Sequence, residues 1–313
     1  MIVGALLEED ARYAKQWIGE SAVWRQAGVY KQVASLVDLQ PTHWHADFCS
    51  GYSFPLLSLY KRAPKESNVQ LIALERITAM IVEARKLAED YGIPTAGHVI
   101  DSFDVSPDLV ATRRYEPQAE HGDLFGTASA ITFIQDDVRT ANVFRHLLKG
   151  RKLDSASMLF PGTSSSTAFE APYNFLESKD PAKYAKRMAE QTREARKGAI
   201  ALATEFVRPG GQYLMAERLA AVADATREEI VAFALDGIQS IAGDLKGGWR
   251  GMELIMPDVD VSAAHGSVQW THFDGKDVRQ YRKGAFGDEE GKVGMYIAKI
   301  TRNDVPFEDL RAS

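Results

Sequence analysis

Short apolar runs alternate with helix-length amphipathic stretches through the middle of the chain, and this order constrains the fold more than any other feature. Strands separated by helices can return in the same direction, so the expected product is a layered α/β domain with a mostly parallel sheet. His45–Cys49 reads as the first strand, followed by the turn Ser50-Gly51-Tyr52-Ser53 and a helix from Phe54 to Tyr60. Val69–Leu74 is the next strand and ends at Glu75. A helix then carries Ile77, Ile81, Ala84, Ala88 and Tyr91 on one stripe. Gly92 and Pro94 stop it. Residues 93–128, rich in Asp, Pro, Arg and Glu, read as an excursion before the strand Ala130–Gln135 and its Asp136-Asp137 end.

The pattern resumes with a helix near Thr140–Lys149 and a strand Ser155–Phe160 closed by Pro161-Gly162. Asp180 and Pro181 suit the start of a long helix. Tyr184, Met188, Thr192, Ala195, Ala199, Leu202 and Phe206 form its apolar face. Lys183, Lys186, Arg187, Glu190, Arg193, Glu194 and Arg196 are expected on its solvated side. The helix should end at Arg208-Pro209-Gly210-Gly211, before the strand Gln212–Glu217. Thr226 with Glu229 matches a capping box for a helix toward Ala242. Residues 249–302 read as two or three strands, of which Gly294–Ile300 is the clearest. Residues 1–43 are expected to form a helical N-terminal cap, 44–302 one domain carrying the 93–128 insertion, and 303–313 a tail.

Composition narrows the partners. Against 37 Lys and Arg stand 43 Asp and Glu, a net charge of −6, which is a poor basis for tracking a phosphate backbone. No apolar run approaches the roughly 20 residues of a membrane span. The Ile2–Leu7 run is short and lacks the basic flank of a signal peptide. The one cysteine, Cys49, makes no internal disulfide and fits a reducing, cytoplasmic setting. These features point to a small-molecule partner, with neither nucleic acid nor membrane; a homodimer stays open.

A strand, a glycine-bearing turn, a helix and an acid closing the next strand together suit a nucleoside. The turn lets backbone N–H groups approach the ligand, and the acid accepts from ribose hydroxyls. Gly51 and Glu75 fill those positions. Asp47-Phe48-Cys49-Ser50-Gly51-Tyr52-Ser53, Leu74-Glu75, Phe133-Ile134-Gln135-Asp136-Asp137-Val138, Leu153–Phe160 and Phe206–Leu214 with its Arg-Pro-Gly-Gly turn follow in order. In that order they resemble the class I S-adenosylmethionine-dependent methyltransferases over most of residues 44–218. The resemblance implies a Rossmann-like, doubly wound, mostly parallel sheet with a helical N-terminal cap and an insertion, the two together covering the cofactor.

It also implies roles. Asp47 and the turn from Cys49 through Gly51 to Ser53 would lie under the methionine part of S-adenosylmethionine. Glu75 would hold the ribose hydroxyls. Asp137, or its neighbour Asp136, would meet the adenine amino group, and Val138 would pack on the ring. Asp154 and the Phe160-Pro161-Gly162 edge would face the methionine end and the substrate. The sequence departs from the family at Cys49 and Ser53, where its first and third turn glycines would stand.

The implied activity is methyl transfer to a small molecule. Phe54-Pro55-Leu56-Leu57-Ser58 is similar to the Pro-Leu-rich turn of nicotianamine synthases. This keeps open aminocarboxypropyl transfer, or a cyclisation releasing methylthioadenosine. A non-catalytic binding module is a further alternative, motivated by the missing glycines. A nicotinamide oxidoreductase fits less well, because it leaves the Arg-Pro-Gly-Gly turn unaccounted for.

Tyr173 and Asn174 are candidates to orient a substrate amine or the cofactor's amino acid end, and the Gly162–Ser166 loop is a candidate substrate edge. His121, His265 and His272 are candidate bases, His272 included among the catalytic residues, although no spacing selects one. His43-Trp44-His45 with Cys49 lacks the further ligand of a familiar zinc site, so no metal is expected. Tyr13, Trp17, Trp24 and Tyr30 lie on N-terminal helices, as packing or as a lid over an apolar substrate.

Overall fold

A computed structural model of the protein describes residues 2–26, 28–98, 102–105, 111–115, 124–126, 128–161, 181–221, 232, 249–255, 270–273, 278–281 and 292–302. Two helices open it, α1 (Ile2–Gln26) and α2 (Val29–Leu36). The repeating part then runs β1 (Trp44–Phe48), α3 (Phe54–Arg62), β2 (Gln70–Glu75), α4 (Thr78–Asp90) and β3 (Thr95–His98). After the hairpin strands β4 (Ser102–Val105) and β5 (Ala111–Arg114) come β6 (Ala130–Gln135), α5 (Asn142–Leu147), β7 (Leu153–Leu159), α6 (Pro181–Phe206) and β8 (Val207–Ala221). The remaining strands are β9 (Trp249–Ile255), β10 (Trp270–Phe273), β11 (Val278–Tyr281) and β12 (Lys292–Arg302).

One sheet holds eight of these strands in the order β3-β6-β2-β1-β7-β8-β12-β9. Only β12 runs against the others, pairing antiparallel with both β8 and β9. Helices cover both faces, as a parallel sheet requires. Trp24, Val33, Leu56 and Ile81, from α1 to α4, pack on Leu71, Phe133 and Leu214 of one face. Val143, Phe144, Ala199 and Leu202, from α5 and α6, pack on Phe48, Ile72 and Met158 of the other. The fold is therefore doubly wound and Rossmann-like, with strand order reversing between β1 and β7. Open α/β sheets bind ligands outside the carboxyl ends of their strands at such a switch point.

Local chemistry explains the element ends and corrects several expectations. Gly92, at φ 68°, closes α4 in a Schellman motif: its N–H donates to the Glu89 carbonyl and the Ile93 N–H to the Ala88 carbonyl. Tyr91 falls beyond the last helical residue, so it leaves the buried stripe and is 42% exposed. The 93–128 segment also contributes to the sheet, since β3 extends it parallel to β6. Arg208-Pro209-Gly210-Gly211 is a bulge within a strand rather than a turn ahead of one. Leu153 pairs with Val207, but Ser155 already pairs with Gln212. Among the described residues of 249–302 there are four strands, two of them in the separate antiparallel pair β10–β11.

On α6, Ala195, Ala199, Leu202 and Phe206 are buried as the periodicity requires, and Thr192 is half-buried. The side chains of Tyr184 and Met188 lie outside the described residues, as do Asp180 and the Thr226–Glu229 capping box. Arg196 is not solvated: its guanidinium makes two hydrogen bonds, at 2.5 and 2.8 Å, to the buried carboxylate of Glu217 on β8. Gly198 sets how closely α6 approaches the loop after β6. A methyl group there would come within 2.6 Å of the Val138 carbonyl oxygen and 3.0 Å of Arg139 Cα. Both contacts are backbone and cannot swing aside. Gly198→Ala is therefore expected to destabilise the protein by about 1–3 kcal/mol, outweighing the roughly 1 kcal/mol that alanine gains in a helix; denaturant titration reads the difference.

Candidate functional site

At the carboxyl end of β1 the chain makes three left-handed residues in five: Cys49 at φ 53°, Gly51 at 52° and Ser53 at 56°. Only glycine adopts this conformation without cost, and a side chain there costs of order 1–3 kcal/mol. The backbone thus keeps a three-glycine course although two of the glycines are absent. Neighbouring hydrogen bonds hold it. Ser50 N–H donates to the Leu74 carbonyl at 3.1 Å and Ser53 N–H to the Ser50 carbonyl at 2.7 Å. Gly51 N–H donates to Glu75 Oε2 at 2.9 Å. A methyl group on Gly51 would lie 2.8 Å from Trp17 Nε1, so the α1 indole rests directly on the turn.

Glu75, at the end of β2, is the hub. Its other oxygen accepts from the N–H groups of Arg76 and Ile77, at 2.8 and 3.0 Å. Burial raises its pKa, and these backbone donors pull the other way. The two acids after β6 have separated tasks. Asp136 Oδ1 accepts from Asp137 N–H and Oδ2 from Phe144 N–H, so it ties down the first turns of α5. Burial raises its pKa to about 6. Asp137 faces Arg139, whose Nε donates to it at 2.8 Å. Burial works to raise the Asp137 pKa, but Arg139 and the charge of Arg76 outweigh it, and the net shift is downward.

These groups surround one cavity at the switch point. Of the residues read as cofactor-binding, Cys49, Gly51, Glu75, Asp136, Asp137, Val138 and Phe160 line it. Asp47, Ser53 and Pro161 are buried close by but do not reach its wall. Tyr13 and Trp17 of the N-terminal helix join the lining, as do Arg76, Met80, Arg139 and Gln191, which no sequence pattern marks as ligand contacts. Arg76 directly follows Glu75 and Arg139 stands two residues after Asp137, and that closeness in sequence is the available signal. The free space is about 60 Å³. That is room for a few water molecules, below the roughly 300–1,000 Å³ typical of small-molecule sites.

The insertion closes over the same place. Arg113 pairs with Asp10 of α1 at 2.7 Å, both side chains buried, and donates to the Arg76 carbonyl at 3.0 Å. Tyr115 hydroxyl accepts from Arg76 Nε at 3.0 Å. Arg76 Nη1 is buried and has no partner, leaving a donor free at the cavity wall.

Asp154 does not face this site. It is the second residue of β7, whereas ligands meet the carboxyl ends of strands, and the remaining residues Ser155–Leu159, at about 3.3 Å each, separate it from the site. Its carboxylate instead accepts from Trp44 N–H and pairs with Arg208. Burial, with the charges of Glu75, Asp137 and Asp47 adding to it, raises the Cys49 thiol pKa well above the usual range. His272 lies on β10, paired with Arg279 of β11, and its side chain lies outside the described ones. Tyr173, Asn174, His121, His265 and the Gly162–Ser166 loop lie outside the described residues.

Beneath the turn, the inward residues of β1 and β7 form a polar ladder. His43 Nε2 and His45 Nδ1 each lie 2.7 Å from Ser155 Oγ, and His45 Nε2 lies 3.0 Å from Ser157 Oγ. Ser157 Oγ donates to Asp47 Oδ1 at 2.6 Å. Both His45 nitrogens are thus engaged by serines. Burial, with His43 adding a smaller effect, lowers the His45 pKa to about 3. Burial raises Asp47 to about 7.

The chain is a doubly wound α/β domain with a cavity at the switch point of its sheet. No protein-family model matches the chain, and no curated protein matches it by sequence. Among solved structures it is similar to precorrin-6y C5,15-methyltransferase of Geobacter metallireducens, at 11% identity over 87% of each chain, with a TM-score of 0.39. It is also similar to an S-adenosylmethionine-dependent O-methyltransferase of Thermotoga maritima, at 9% identity over 88% of this chain and 65% of that one, TM-score 0.39. TrmN of Thermus thermophilus is similar at 12% identity and TM-score 0.40; 90% of this chain is covered, spanning 48% of TrmN. Among the described residues no helix is long and apolar enough to cross a membrane.

Proposed function

We propose that this pocket binds S-adenosylmethionine and that the protein transfers its methyl group to a small molecule. One observation carries the reading: a left-handed turn after β1 is hydrogen-bonded through Gly51 to an acid ending β2, at the switch point of the sheet. Strained backbone is kept where a ligand must come close, and the acid suits ribose hydroxyls. A carboxylate has about four acceptor positions; three backbone N–H groups use Glu75, so acceptor capacity remains.

In this reading Glu75 holds the ribose, Asp137 the adenine amino group and Val138 the ring, while Cys49–Ser53, with Asp47 below, supports the methionine part. Phe160 and Pro161 bound the substrate side. When bound, the cofactor supplies a methyl group on a sulfonium. The chain's part is to hold an acceptor in line with it, a task worth about 7–11 kcal/mol for well-oriented reactants. Tyr13 and Trp17, which line the cavity, exclude water from it. Tyr173 and Asn174 orient the acceptor, and His272 takes its proton where one must be lost.

The test has two arms. Titration calorimetry with S-adenosylhomocysteine is expected to give one site per chain; absence of binding would leave a fold without this cofactor. Chromatography after incubation with S-adenosylmethionine and candidate acceptors is expected to give S-adenosylhomocysteine. Methylthioadenosine formed without an acceptor would mark transfer of another arm of the cofactor and overturn the methyl reading.

A further inference from the structure

A second cavity, sharing no lining residue with the first, opens on the outer side of the α1–α4 layer. Its volume is about 520 Å³, within the roughly 300–1,000 Å³ typical of small-molecule sites. The floor is aromatic: Tyr30 and Phe54 are buried and stack at 5.4 Å, with Leu57 beside them. The rim is cationic, with Arg25 from α1, Lys31 from α2, and Lys61 and Arg62 from α3, all exposed. No carboxylate lines this cavity, and none of the four cations has an acidic partner among the described residues.

Tyr91 completes the rim. The Schellman turn after α4 projects it outward, with its hydroxyl 2.8 Å from Arg25 Nη2 and its ring 3.8 Å beneath Lys61 Nζ. Two cations are thus held in place by an aromatic side chain instead of being neutralised by an acid. On a chain of net charge −6, four unpaired cations around one concavity repel one another and attract anions. Guanidinium forks and ammonium groups suit phosphate, and stacked rings suit a planar group.

We propose that this cavity is a binding site for a small aromatic phosphate ester of the nucleotide type. The proposal is independent of the function assigned to the switch-point pocket. Adenosine 5′-monophosphate, adenosine and inorganic phosphate are the probes. Each is titrated calorimetrically at low salt into the full chain, with and without saturating S-adenosylhomocysteine. The nucleotide is expected to bind in both conditions, and more tightly than adenosine or phosphate alone. The double variant Lys61→Glu with Arg62→Glu, exposed on α3, is expected to keep its melting temperature and to weaken nucleotide binding by roughly tenfold or more. Tyr91→Ala should weaken it too.

Unchanged nucleotide affinity in the double variant, or no binding at all, overturns the site. Phosphate binding as tightly as the nucleotide overturns the aromatic part of the recognition. A single-stranded oligonucleotide binding far more tightly than the mononucleotide would make the surface a nucleic-acid contact instead. Nucleotide binding lost in Glu75→Ala but retained in the double variant places the nucleotide in the switch-point pocket, which overturns this proposal without touching the other.

Discussion

Glu75→Ala is expected to lower affinity for S-adenosylhomocysteine by at least roughly a hundredfold, the largest single-residue effect in the protein. Loss of the ribose acceptor is one part of it. The other is local: three backbone N–H groups, of Gly51, Arg76 and Ile77, lose their acceptor at once. A buried donor left unpaired costs about 1–3 kcal/mol, so the variant should also be several kcal/mol less stable to denaturant. Glu75→Gln separates the two. Its single amide oxygen can accept from Arg76 and Ile77, while its NH2 then faces Gly51 N–H, so only part of the stability should return and the charge-assisted ribose contact should not. Calorimetry and denaturant titration of both variants read the split. Wild-type affinity in Glu75→Ala would remove this residue from the ligand site.

Asp47→Asn and His45→Gln are expected to give opposite pH dependences of stability from neighbouring positions on one strand. Folding lowers His45 from 6.5 to about 3, so its contribution is present above pH 6.5 and is lost as the pH falls toward 3. Folding raises Asp47 from 3.8 to about 7, so its contribution is present below pH 3.8 and is lost as the pH rises through 7. Between 3.8 and 6.5 the two slopes cancel. Removing Asp47 exposes the histidine slope: stability should fall by about 1.4 kcal/mol per pH unit below 6.5. Removing His45 exposes the other, and stability should fall by a similar amount per unit as pH rises toward 7. Denaturant midpoints at pH 5, 6 and 7 test this, and parallel profiles in the two variants would contradict it.

What could be read in the sequence was what short-range chemistry decides. Gly92 before Pro94 marks the end of α4, Glu75 marks the end of β2, and the turn at Cys49–Ser53 declares itself by position even with two side chains in left-handed backbone. Contacts between distant segments were not legible. Trp17 covers Gly51 because α1 packs across the strand ends, and no pattern near Gly51 announces it. β3 was hidden because Thr95-Ala96-Gly97-His98 is short and contains a glycine, while its pairing partner begins at residue 130. Asp154 reads as a site-edge residue by its place in the motif, yet it lies near the amino end of β7, whose carboxyl end meets the site. Arg196 looked solvated because its acid, Glu217, is 21 residues away on β8.

The ladder under the turn has a consequence for the proton positions of two imidazoles. Ser157 gives its hydroxyl proton to Asp47, so it must accept from His45, whose proton therefore sits on Nε2. His45 Nδ1 is then bare and accepts from Ser155, which in turn must accept from His43 Nε2–H. That leaves His43 Nδ1 without a proton, and it is the one ladder atom that is buried with no partner. The tautomers of the two rings are locked to each other and to a carboxyl at the far end of the strand. A change in the direction of any one hydroxyl requires all of them to turn, which makes the pair a single binary unit whose state ¹⁵N shifts of either ring report.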